Sequence, residues 1–104
     1  MPVTRDFKET IQMRARRDAN FRAALLKEAV DALLAGEVDV GKTVLRDYIN
    51  ATVGFDKLAS VTKKSPKSLM RMLGPKGNPQ ARNVFEIVAY LQKKEGLRLR
   101  VRAG

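Results

Sequence analysis

Apolar residues recur at helical spacing along nearly the whole chain, and glycines and cap-forming residues cut that periodicity into short pieces. A chain patterned in this way is confined to a small all-α fold. Asp6 with Glu9 reads as a capping box, and Phe7, Ile11 and Ala15 share one face of a first helix. The run Arg14-Ala15-Arg16-Arg17-Asp18 breaks that face. A second helix over 19–35 carries Phe21, Leu25, Leu26, Ala29, Val30, Leu33 and Leu34, and Gly36 closes it. Asp39 is expected to cap a third helix through about Val53, with Val44, Leu45, Tyr48, Ile49 and Thr52 inward and Gly54 at its end.

Residues 55–82 carry the functional signal. Leu58, Ala59 and Val61 suit a short helix, and Lys63 and Lys64 fill a turn. Ser65 then caps a second short helix with Pro66 at its first position, where proline's missing N–H is not needed. Leu69, Met72 and Leu73 fall on its inner face, which leaves Lys67, Ser68 and Arg71 outside. Gly74-Pro75-Lys76-Gly77 is a turn. Asn78 is expected to cap a last helix starting at Pro79, with Ala81, Val84, Phe85, Val88 and Leu91 inward and Gly96 closing it. In the tail, Leu97, Leu99 and Val101 alternate with Arg98, Arg100 and Arg102, which predicts a short strand over 97–102 in need of a partner.

Charge says what such a chain meets. Lys and Arg number 21 against 11 acids, a net charge of +10 and a pI near 10.4. That balance favours polyanions, nucleic acid before membrane. Between 55 and 82 the cations are Lys57, Lys63, Lys64, Lys67, Arg71, Lys76 and Arg82, against Asp56 alone. Arginine on an outward helix face reads guanine edges in a major groove, while Lys and Ser hold phosphates. The expected base-reading residues are therefore Lys67, Ser68 and Arg71. Lys63, Lys64, Ser65, Lys76, Asn78 and Arg82 are expected at the DNA backbone, with the free N–H groups at the Asn78 helix start as a further phosphate contact.

Other chemistries lack their residues. The chain has no histidine and no cysteine, so the commonest general base, the Ser-His and Cys-His pairs and thiolate metal sites are absent. No enzyme activity, metal or cofactor is expected. No apolar run is long enough for a membrane span, and the first ten residues lack a secretory apolar region, so a cytoplasmic location is expected. RNA is a weaker partner than duplex DNA, because the few aromatics sit mostly on inward faces and single-strand binding uses stacking rings. Gly36-Glu37-Val38-Asp39-Val40-Gly41-Lys42-Thr43 matches the phosphate-loop pattern GxxxxGK[ST], an alternative that would make the chain a nucleotide-binding protein. Its context opposes that reading: a helical stripe precedes it where a buried strand should, and Glu37 and Asp39 would face phosphate. Lys42 is expected exposed in a first helical turn.

Residues 43–102 resemble the helix-turn-helix regulators of the HigA-like antitoxin class, within the lambda-repressor-like superfamily. The resembling pieces are NATVGF (50–55), LASVTKKSPKSLMRML (58–73), GPKGNPQARNVFEIVAYL (74–91) and GLRLRV (96–101). The resemblance implies a single five- to six-helix domain over 1–104, with a helical leader (1–42), a helix-turn-helix core (43–95) and the terminal strand. It also implies an operator-binding repressor of its own operon that serves as antitoxin to a RelE-like toxin, or else a stand-alone regulator without a toxin. By the same resemblance Ala59 packs between the two helices of the motif, Leu69 and Met72 face inward, and Ser65, Lys67, Ser68 and Arg71 face DNA. The family's turn glycine is Lys63 here, which predicts a strained left-handed residue or a wider turn. A homodimer is expected, with the strand 97–102 as a candidate contact.

Overall fold

The computed structural model describes the backbone of residues 3–104 and the side chains from Thr10 onward. The capping box at Asp6 and Glu9, and Phe7, lie outside the described side chains. Six helices follow one another: α1 (Val3–Arg17), α2 (Ala19–Leu34), α3 (Val38–Ala51), α4 (Gly54–Thr62), α5 (Pro66–Met72) and α6 (Ala81–Glu95). α2 packs most extensively against α3, and α1 lies on both. α4 packs on α3, α5 and α6. The basic run at 14–17 does not interrupt α1, since arginine is a good helix former and its charges stay in solvent. Asp18 separates α1 from α2, its carboxylate accepting the Phe21 N–H at 3.1 Å.

The core is built from the helical stripes. Leu26, Leu45, Tyr48, Ile49, Leu58, Leu69, Leu73, Ile87 and Leu91 are almost wholly shielded from water. Each such leucine or isoleucine contributes about 1.5–3 kcal/mol relative to exposure. α2 ends in a Schellman motif: Gly36 has φ +84°, its N–H reaches Leu33 O at 3.1 Å, and the Glu37 N–H reaches Ala32 O at 2.9 Å. α6 ends in the same way at Gly96, with Leu97 N–H to Gln92 O at 3.0 Å.

Several boundaries and faces differ from expectation. α3 starts at Val38 with Glu37 at its N-cap and no side-chain cap, so Asp39 lies inside the first turn. α6 starts at Ala81 with Gln80 as its N-cap, so Asn78 and Pro79 belong to the preceding loop. Its inner face is Val84, Ile87, Val88 and Leu91, whereas Ala81 is exposed and Phe85 is 65% exposed. Leu34 is likewise exposed, beyond the reach of the α2–α3 contact. The strand over 97–102 does not form, and no strand occurs among the described residues. No strand edge stands beside the tail, so the Leu99 N–H takes the Gln92 side-chain carbonyl at 2.6 Å instead. Leu97 and Leu99 still pack on the core while Arg98 and Arg100 face solvent, but Val101 is 82% exposed.

Candidate nucleic-acid interface

α4 and α5 are two short helices joined by Lys63, Lys64 and Ser65. Lys63 makes that connection tight. Its φ of 58° and ψ of 35° put it in the left-handed region, the one non-glycine with positive φ among the described residues. The N–H groups of Lys63 and Lys64 both turn back to Ala59 O, the latter at 3.2 Å. Ser65 then caps α5, its hydroxyl accepting the Ser68 N–H at 3.0 Å, with Pro66 in the first turn. Ala59 is buried, as a close approach of the two helices requires.

Leu69 and Leu73 anchor α5 to the core, and Met72 is half-buried beside them. The opposite face presents Lys67, Ser68 and Arg71 to solvent. Lys63, Ser65, Lys76, Asn78 and Arg82 are also exposed, and Lys64 is half-exposed. Arg71 and Lys76 stand between two clefts. One, of about 400 Å³, adds Ser68, Gly77, Asn78, Gln80 and Asn83. The other, of about 560 Å³, adds Arg46 and Asn50 from α3, with Phe55 and Met70 as its apolar floor. Arg46, Asn50, Gln80 and Asn83 carried no sequence signal, because each reads as a solvent position on its own helix. Only the fold brings them beside Arg71.

The cations on α5 and its flanking turns have no described carboxylate within ion-pair distance. Ion pairs among the described residues lie elsewhere and include Arg14–Asp18, Arg22–Glu95, Lys27–Asp31, Lys42–Asp39 and Arg82–Glu86. Arg82 is thus partly committed, 3.3 Å from Glu86 on its own helix. With the start of α6 moved to Ala81, the uncapped N–H groups there belong to the Gln80 end of the loop rather than to Asn78.

No known family model, curated protein or solved structure matches this chain.

The phosphate-loop pattern is put to structural use. Gly36 closes α2, and Gly41 lets α3 approach α2 so closely that a β-carbon would lie 2.7 Å from Leu33. Lys42 is not exposed: it is 4% accessible, and its ammonium donates to Gly74 O at 3.0 Å and Gly77 O at 2.8 Å. Asp39 stands 3.4 Å away on the solvent side. With that ammonium engaged and a helix in place of the preceding strand, residues 36–43 form no phosphate cradle. Lys42 instead holds the turn that carries Lys76. In that turn the Gly77 N–H donates to Gly74 O at 3.0 Å, and a β-carbon on Gly77 would meet the Arg71 and Met72 carbonyls at 2.3 Å.

A second polar junction locks the other end of the bundle. Arg22 Nε lies 3.0 Å from both Glu95 oxygens, and its Nη1 donates to Ala15 O at 2.9 Å. The Tyr48 hydroxyl donates to Glu95 Oε1 at 2.8 Å. Burial first, then the Glu95 hydrogen bond, pushes the Tyr48 phenol above its ordinary range. The Glu95 hydrogen bond likewise raises the Arg22 guanidinium.

Proposed function

We propose that this protein binds duplex DNA through α4, the Lys63–Ser65 turn and α5 acting as a helix-turn-helix, and that it regulates transcription. The observation that carries the reading is the outward face of α5: Lys67, Ser68 and Arg71 are exposed on a helix held from behind by Leu69 and Leu73. In this mechanism α5 enters the major groove. Arg71, helped by Lys67 and Ser68, reads base edges. Lys63, Lys64, Ser65, Lys76 and Asn78 bind backbone phosphates and release counterions, with Arg82 at the margin. Arg46 extends the positive charge beside Arg71, and Asn50 adds an uncharged amide to the same wall. The resemblance to HigA-like regulators extends the proposal to an antitoxin that represses its own promoter and binds a RelE-like toxin.

Selection of bound sequences from a random duplex pool tests this reading. A single enriched motif is expected. Arg71→Ala should then lose about 1–3 kcal/mol on the selected site and little on random duplex. Lys64→Ala should weaken both about equally. Uniform losses from both variants would mean that Arg71 touches phosphate alone.

A further inference from the structure

A second cationic cleft lies apart from α5. Arg16 comes to it from the last turn of α1, Arg22 from α2, Lys57 from α4 and Lys94 from the last turn of α6, and together they line a recess of about 420 Å³. Ala51, Thr52 and Val53, at the joint between α3 and α4, complete the lining, and no carboxylate among the described residues belongs to it. None of these residues lines the two clefts beside Arg71. Lys57 is the cation of the 55–82 stretch that the duplex reading leaves unused. The four cations are not equal. Arg22 is anchored, its Nε 3.0 Å from both Glu95 oxygens and its Nη1 donating to Ala15 O, so its charge is largely met within the fold. Arg16, Lys57 and Lys94 are exposed, and none takes part in an ion pair with a described carboxylate. Val53, the N-cap of α4, has no side-chain cap to offer, so the open N–H groups at that helix start add to the positive field.

We propose that this cleft binds a small ligand carrying two linked phosphate groups, free or on a nucleoside. Charge sets the number of phosphates. One phosphate monoester carries about −1.5 to −2 at pH 7, so three uncommitted cations exceed a single group and suit two. Shape sets the size. The cations converge on a recess from four helices, whereas the phosphates of a duplex follow a long convex strand and would meet its rim alone. Arg22 offers Nη2, which none of its described bonds uses, from a guanidinium already fixed in place. Arg16, Lys57 and Lys94 supply the net charge from long, solvent-exposed side chains. This inference does not depend on duplex binding and is read in its absence. The cleft also shares no residue with the phosphate-loop pattern of residues 36–43.

Calorimetric titration of the full chain with pyrophosphate, at fixed ionic strength and without DNA, tests it. Saturation at a single site per chain is expected. Inorganic phosphate should bind about tenfold more weakly, having lost the contacts of one charged group. Arg16→Ala and Lys57→Ala should each raise the pyrophosphate dissociation constant about tenfold, with helix content by circular dichroism unchanged. Lys67→Ala combined with Arg71→Ala, on α5, should leave it as it is. ADP should displace pyrophosphate: tighter binding of ADP would place a nucleoside in the ligand, and equal binding the diphosphate alone. Absent or unsaturable pyrophosphate binding would overturn the proposal. So would equal affinity for phosphate, or α5 variants that weaken binding as much as Arg16→Ala does. A wild type that ignores pyrophosphate while Lys57→Ala weakens duplex binding would make the cleft a nucleic-acid contact instead.

Discussion

Lys42 shows how one buried charge can set the shape of a distant turn. Its ammonium joins α3 to the carbonyls of Gly74 and Gly77, so removing it takes the Lys42 donor from Gly77 O and leaves the buried Gly74 O with the Gly77 N–H alone. Lys42→Ala should cost about 1–3 kcal/mol of stability, read from urea unfolding. Lys42→Met, which keeps the apolar stem, should lose nearly as much if the hydrogen bonds matter most. Equal stability of wild type and both variants would show that the turn stands without its support. Tyr48 makes a prediction of opposite chemical sense. Its phenol ionises at higher pH in the folded state than in the unfolded state, so its contribution is complete below pH ~10 and is lost as pH rises further. Tyr48→Phe should therefore flatten the alkaline fall in stability, measured as unfolding free energy from neutral pH to beyond pH ~10. An unchanged alkaline limb would assign that fall to other groups.

At the scale of elements, the α4–α5 connection carries strain that a glycine would relieve. Lys63→Gly should stabilise the fold by about 0.5–1 kcal/mol, because the left-handed cost borne by lysine exceeds the extra entropy lost by glycine. A loss of stability would mean that the lysine side chain contributes more than its backbone costs. This junction was also the most legible part of the chain. Ser65 and Pro66 mark the start of α5 by simple hydrogen-bond needs, and Leu69 and Leu73 give its inner face by spacing. The start of α6 was less legible. Asn78 and Pro79 imitate a cap and first turn, but the Gly77 contact with α5 holds the chain extended past them to Gln80. Phe85 misled for a related reason: an aromatic one turn from Ala81 and Ala89 makes an apolar stripe, and periodicity alone does not say which of two stripes on one helix meets the core. The tail kept its alternation for Leu97 and Leu99 yet formed no strand, because strand formation depends on a neighbour that no local pattern encodes. Likewise Lys42 reads as a solvent lysine until the 74–77 turn is folded over it.

For the whole molecule, net charge and its placement support the proposed polyanionic partner. The helices spread 36 × 35 × 25 Å with a radius of gyration of 13.2 Å, close to the ~13 Å of a single folded body of this size. No helix of the described residues is long and apolar enough to cross a membrane. Cations occur beyond α5 as well: Arg16, Arg22, Lys57 and Lys94 line a separate cleft of about 420 Å³. There, however, Arg22 is held by Glu95, whereas Lys63, Lys64, Lys67, Arg71 and Lys76 have no carboxylate partner among the described residues. Docking through α5 should therefore replace condensed counterions on DNA by about five protein cations per subunit. The most direct measurement is the affinity for duplex DNA as salt is raised from about 50 to about 200 mM. The account predicts a linear fall of log K with log salt, of slope about −4.5 per subunit. A flat response, or no duplex binding at the lowest salt, would contradict it.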